Sequence, residues 1–336
     1  MIRDLAANLS IGMGGVEGNW TRRWAILVGL CVLPLLSPPD ALATYPGRNG
    51  PILAGKPFGD LTAVDPESGQ SWTVAEDIAD FGDVTADGRT VVFVREDPSA
   101  PIRRSIFTAS IEGGGEHQVT QFGGPFATRS TISPDGSRVV FDGVASIATP
   151  LDFALHSIDR DGTGLTPLLA SKGATLAHFS PEGDRMVIQQ AAPHYIPHLG
   201  LTDMNPDVFT IRSDGSMMRP VIATVKKEMQ PSWSPDGRRI VYVGQNRKSI
   251  PGEDWDNDMF RTAIYTVRLN GRDKTRISPY SKKGSRTTPF YSPDGEQIVY
   301  SKDDELWVMD ADGRHPRPVP GATKNMEFPI AWAPAG

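Results

Sequence analysis

The feature that most constrains this chain is a phrase it repeats. "WSPDGRRIVYV" at 233–243 returns as "YSPDGEQIVYS" at 291–301 and as "ISPDGSRVVF" at 132–141. Looser copies are "FSPEGDRMVI" at 179–188 and "VTADGRTVVFV" at 84–94, and "WAPAG" at 332–336 begins another. Pro presets φ for the first turn position, Asp accepts hydrogen bonds from the turn backbone, and Gly takes the positive φ that other residues resist. The β-branched run after each turn has strand composition. Each copy therefore predicts a β-hairpin, and a repeat of this kind dictates the architecture.

A second hairpin signal follows the first. "LHSIDRDGTG" (155–164), "VFTIRSDGS" (208–216), "IYTVRLNGR" (264–272) and "LWVMDADGR" (306–314) are strands running into Asp-Gly or Asn-Gly corners, each followed by a short strand such as "TPLLA" or "RPVIA". One unit is thus four antiparallel strands, A to D. The turn acids Asp87, Asp135, Glu182, Asp236 and Asp294 mark five such units. Residues 49–74 supply strands B, C and D without an A strand, and 327–336 supply an A strand with nothing after it. The sequence predicts an all-β fold, a six-bladed β-propeller of four-stranded antiparallel blades. Its ring is closed by pairing the C-terminal strand with the N-terminal segment, which leaves no long free edge.

The Trp/Tyr/Phe-Ser-Pro-Asp-Gly turns resemble those of TolB and its wider group of WD-like propeller repeats. The match is complete at 233–237 and 291–295 and partial at 132–136, 179–183 and 332–336. The resemblance implies a propeller fold and an envelope scaffold role. TolB carries a separate α/β domain before its propeller; here none is expected, because the first blade directly follows an export signal.

That signal is Arg22-Arg23, the apolar run 24–36 and an Ala-x-Ala site ending at Ala43. Residues 1–43 are read as a secretory signal peptide and 44–336 as a single propeller domain, exported to the periplasm or the medium. The apolar run is too short to span a bilayer, so no transmembrane segment is expected after signal removal. Cys31, the only cysteine, lies within it, so the mature chain is expected to have no disulfides, thiolate metal sites or cysteine nucleophile. A net charge of −6 without runs of like charge argues against a nucleic-acid partner.

The spacing between the two turns is longest in the units that begin at Glu182 and Asp236, which places insertions in their B–C connections. Long connections on a rigid scaffold are where function concentrates. The first insertion, "APHYIPHLGLTDMNP" (192–206), brings His194, Tyr195 and His198 together, with Pro193 and Pro197 opposing a helix. The second, "NRKSIPGEDWDNDMF" (246–260), holds Asp254, Asp256 and Asp258 in alternation, a pattern of oxygen ligands suited to a divalent cation such as calcium. Met259 and Tyr265 stand where an EF-hand requires Gly and Glu. Trp255 suits stacking on a sugar or anchoring a peptide. His178, just before "FSPEG", is expected at the channel mouth or between blades. The Asp-x-Asp-Gly corners at 159–162 and 310–313 need no metal as hairpin turns.

The sequence has no Gly-x-Ser-x-Gly elbow, His-Glu-x-x-His pair or Walker loop. A hydrolase domain of the dipeptidyl-peptidase kind is not expected after the closing strand. The reading is of a monomeric, non-catalytic binding or scaffold protein for an envelope or extracellular protein or glycan. It uses no certain cofactor, and its contacts are His194, Tyr195, His198, Trp255 and His178. The alternative is a metal-assisted polysaccharide lyase or hydrolase using His194, His198 and His178 at the same face.

Overall fold

Alternating apolar strands and Gly-bearing turns produce twenty-three β-strands and no α-helix among the described residues. The computed structural model describes residues 45–121, 126–144, 153–169, 174–196, 201–224, 226–245, 261–281, 286–323 and 326–336. One sheet has seven strands. It contains β1 (Asn49–Gly55), β2 (Gly59–Val64), β3 (Ser71–Val84), β4 (Thr90–Asp97), β5 (Ala100–Ser110) and β6 (His117–Gln118), with β23 (Phe328–Pro334) beside β1. Four sheets have four antiparallel strands each. The first is β7 (Phe126–Ile132), β8 (Arg138–Val144), β9 (Phe153–Asp159) and β10 (Thr166–Leu169). The second is β11 (Ala174–Phe179), β12 (Arg185–Ile196), β13 (Leu201–Arg212) and β14 (Arg219–Ile222). The third is β15 (Glu228–Trp233), β16 (Arg239–Gln245), β17 (Thr262–Arg268) and β18 (Thr275–Arg276). The fourth is β19 (Arg286–Tyr291), β20 (Gln297–Lys302), β21 (Glu305–Asp310) and β22 (Arg317–Pro318).

The repeated turn works as its residues dictate. Ser234 Oγ donates to Asp236 Oδ1 at 2.6 Å, and the same oxygen accepts the Arg238 N–H at 3.1 Å. Gly237, at φ 63°, donates back to the Ser234 carbonyl. Ser133 and Asp135 repeat the arrangement, as do Ser292 and Asp294. These turns also touch one another in sequence order: Ala86 N donates to Pro134 O, and Gly183 abuts Pro134, Gly237 abuts Pro181, and Gly295 abuts Pro235. Gly47 N then donates to Pro293 O, and Gly88 lies against the Pro334 carbonyl, where a Cβ would collide. The sheets therefore follow one another round a closed ring, the arrangement of a β-propeller.

Closure falls between the chain ends. β23 pairs with β1 through Ile52↔Trp332 and Leu53↔Ala331, and Trp332 Nε1 donates to Gly50 O at 3.0 Å. Stacking sheet on sheet buries both faces of the inner strands, which is why Ile240–Val243 are all buried despite the alternation of their side chains. Among the described residues no helix is long and apolar enough to cross a membrane.

Candidate functional site

The innermost strands, β7, β11, β15, β19, β23 and the second half of β3, run side by side around the axis. All bear a register shift there, as at Thr175/His178, Met229/Ser232 and Thr287/Phe290. At three of these bulges a non-glycine residue takes positive φ: Leu176 (55°), Gln230 (51°) and Thr288 (46°). Such backbone is costly, most of all for a β-branched residue, and it persists where the surroundings fix it. Here side chains of the preceding sheets fix it. Leu176 N–H donates to Asp142 Oδ2 (3.2 Å), Gln230 N–H to Gln189 Oε1 (3.1 Å), and Thr288 N–H to Gln230 Oε1 (3.0 Å).

The axis is closed at the end of the Pro-Asp-Gly turns. Tyr45 is buried there, its hydroxyl donating to Ile132 O at 3.4 Å, among Trp233, Phe290 and Trp332 around a cavity of only about 30 Å³. His178 on β11 lies in this wall, edge-on to Phe290, with Nδ1 3.9 Å from Asp83 Oδ2. Nearer the opposite end a second cavity of about 40 Å³ has Arg129, Ser130, Gln230 and Thr288 in its wall among apolar neighbours such as Phe290 and Ile330. Beside it is Asp142, fully buried, with Oδ2 3.9 Å from Arg129 Nη1. Burial pushes the Asp142 carboxyl up to about 7, against the pull of Arg129 and the Leu176 N–H.

The described residues of the first insertion are paired strands. β12 and β13 continue as a paired ladder to Ile196↔Leu201, past the last β11 contact at Gln190 and the last β14 contact at Val208. They form a two-stranded arm beyond the sheet. Pro193 and Pro206 fit because of phase. Ser213 N–H donates to Asp184 O, so odd-numbered residues of β12 and their partners turn their amide positions away from the other strand. Pro193, and Pro206 opposite Ala191, both occupy such outward positions, where a missing N–H costs no ladder bond and blocks strand addition at the free edges.

His194 is anchored at the base of the arm. Its Nε2 lies 2.7 Å from Oδ2 of the buried Asp207. Asp207 Oδ1 accepts Thr224 N–H (3.3 Å), and Thr224 Oγ1 donates to Glu228 Oε1 (2.7 Å), which also faces Lys274 Nζ at 3.4 Å. Lys274 in turn lies over the rings of Tyr242 and Tyr265. Desolvation raises both carboxyls above their ordinary range; His194 opposes it at Asp207, and Thr224 and Lys274 oppose it at Glu228. His194→Ala is expected to cost about 1–3 kcal/mol by stripping a buried carboxylate of a partner, read as a lower urea midpoint at unchanged slope.

Tyr195 is on the arm, paired with Thr202. His198, Asp254, Trp255, Asp256 and Asp258 lie outside the described residues. Among the described residues no group of three or more His, Asp or Glu side chains is arranged to hold a metal. Sequence reasoning missed Arg129, Asp142, Asp207, Glu228 and Lys274. A signal existed for two of them, since Asp142 in "VVFDGV" and Asp207 in "NPDVF" put a carboxylate beside or within apolar strand sequence.

No protein-family model matches the chain. The TolB homolog of Chlorobium luteolum is 24% identical over 162 residues, 46% of this chain and 31% of that protein. The Tol-Pal system protein TolB of Alcanivorax borkumensis is 30% identical over 87 residues, 26% of this chain and 17% of that protein. The matched stretches thus span no more than about a third of either relative. The crystal structure of TolB from Acinetobacter baumannii superposes with a TM-score of 0.62 at 20% identity, covering 86% of this chain and 67% of that one. Turn sequence, ring architecture and these likenesses agree: the chain folds as a β-propeller similar to that of TolB.

Proposed function

We propose that the protein is an exported, non-catalytic TolB-like propeller of six blades that binds an envelope or extracellular protein. The blade count treats β3 as two strands. Its first half pairs with β2 and completes a blade with β23 and β1; its second half pairs with β4 and opens the next. Residues 1–43 are the signal peptide, and the propeller of residues 44–336 acts as a monomer.

The observation that carries the reading is the paired β12–β13 arm, which stands on the face opposite the Pro-Asp-Gly turns, the face toward which the Arg129 cavity lies. A braced arm beside an axial recess suits recognition of a folded surface, because little ordering cost remains to be met on binding. The strands flanking residues 246–260, β16 and β17, end and begin on this face, and the sequence of that insertion offers Trp255 as an aromatic anchor. One of the sequence relatives is named for the Tol-Pal system, which favours a protein over a glycan as partner.

The test places a photoreactive residue at Thr202 on the arm and, as a control, at Asp161 on the turn face, in cells making the full chain. One adduct from Thr202, absent from Asp161 and weakened by Trp255→Ala, is the expected result. Equal adducts from both positions, or none from Thr202, would reject the reading. The intact mass of the isolated protein checks export, with Thr44 expected as the first residue.

A further inference from the structure

We propose that the axial recess beside Arg129 is a binding site for a carboxylate group. This deepens the reading of a binding face, on which it rests. Arg129 is about two-fifths exposed and lines the recess. Its 3.9 Å separation from Asp142 is beyond hydrogen-bond reach, and among the described residues the guanidinium makes no hydrogen bond. Its fork of N–H donors is therefore unspent, and that fork matches a carboxylate bidentately.

A second, independent observation points to the same ligand. Ser130 Oγ is buried without a hydrogen-bond partner, and so is Thr288 Oγ1; both residues line the recess. An unpaired buried hydroxyl is costly and uncommon in a native fold. Two hydroxyl donors and one guanidinium around a recess of about 40 Å³ suit one small anionic group. The strained Thr288 backbone, held by Gln230, fixes one of those hydroxyls.

Asp142 sets the charge balance. The charged groups around it are Arg129 on β7 and Asp80 on β3, while β11 offers the Leu176 N–H and, across the recess, His178. As pH falls through about 7, Asp142 takes up a proton and stops competing for Arg129. Carboxylate binding therefore tightens toward acid pH. Asp142→Asn retains binding and removes most of that dependence.

The experiment titrates the mature chain with sodium acetate, and separately with an Asp/Glu-rich peptide, followed by NMR shifts and calorimetry at pH 6 and pH 8. Saturable binding, weaker at pH 8 and reduced about tenfold or more in Arg129→Gln, is expected, with Arg314→Gln unchanged. Ser130→Ala should weaken binding less while leaving the melting temperature near wild type, which separates loss of the site from loss of the fold. Acetate binding alone would identify a free small carboxylate as the source, and peptide binding alone an acidic side chain of a partner. No saturation with either probe, or equal affinity in Arg129→Gln, overturns the proposal. An arm adduct without carboxylate binding would overturn it while leaving the partner-binding reading intact.

Discussion

A chain ending at Glu327 is expected to lose cooperative unfolding altogether, and Trp332→Ala alone to lower stability by about 3–5 kcal/mol. The last strand is the closing member of the ring. It buries Ile330, Ala331, Trp332 and Ala333, pairs along the length of β1, and continues the closure through Ala335 N–H to Arg48 O. Without it β1 becomes an unpaired edge, and two apolar clusters open at once: the one around Leu53, Ala331 and Ala333, and the one around Ile52, Val299 and Trp332. Domains are stable by only about 5–15 kcal/mol, so losing the whole strand exceeds what the fold can absorb. Calorimetry should show Trp332→Ala melting roughly 6–20 °C lower, taking a few degrees per kcal/mol for a domain this large. A truncated chain that still melts in one sharp transition near the wild-type temperature would show that closure through β23 does not hold the ring together.

The ring was legible in the sequence because one device writes it repeatedly. Ser-Pro-Asp-Gly specifies a turn by its own hydrogen bonds, as at Ser234–Asp236, and the apolar runs after it specify strands buried on both faces. The missing A strand before Asn49 and the surplus one at Phe328 identified the closing pair. The insertion at 192–206 was harder. Its prolines read as loop formers, yet Pro193 and Pro206 occupy outward positions of a ladder, a matter of phase set by Ser213 and Asp184 rather than by composition, while Pro197 lies outside the described residues. His194 was visible as a residue but not as a partner of Asp207, since that contact depends on how the arm meets its own base. The bulge latches were least legible. Asp142, Gln189 and Gln230 hold backbone groups of the next sheet, and nothing local in "FDG" or "IQQ" reports a neighbour brought in by the ring.

Those latches make one comparison decisive. Three equivalent bulge amides are held by side-chain oxygens, two of them carboxamides and one the Asp142 carboxylate, buried where it cannot be solvated. Unfolded, Asp142 ionises near about 3.9; folded, it does so at about 7. Below the lower value both states are protonated and ionisation contributes nothing. Between the two values the unfolded chain releases a proton that the native state keeps, so stability falls as pH rises, by about 1.4 kcal/mol per unit. Above the upper value both states are ionised and the loss is complete, roughly 4 kcal/mol over the interval. Asp142→Asn supplies the carboxamide oxygen that Gln189 and Gln230 already use and removes that loss, while Arg129, partly exposed, stays solvated without its counter-charge. The variant should be more stable than wild type by roughly 2–4 kcal/mol at pH 8, with the gap closing toward pH 4. Subtracting the two urea-melting profiles cancels the contributions of Asp207, Glu228 and the surface carboxylates. A difference that stays constant with pH, or that favours the wild type at pH 8, would mean that Asp142 is held ionised in the fold and that its pairing with Arg129 outweighs its burial.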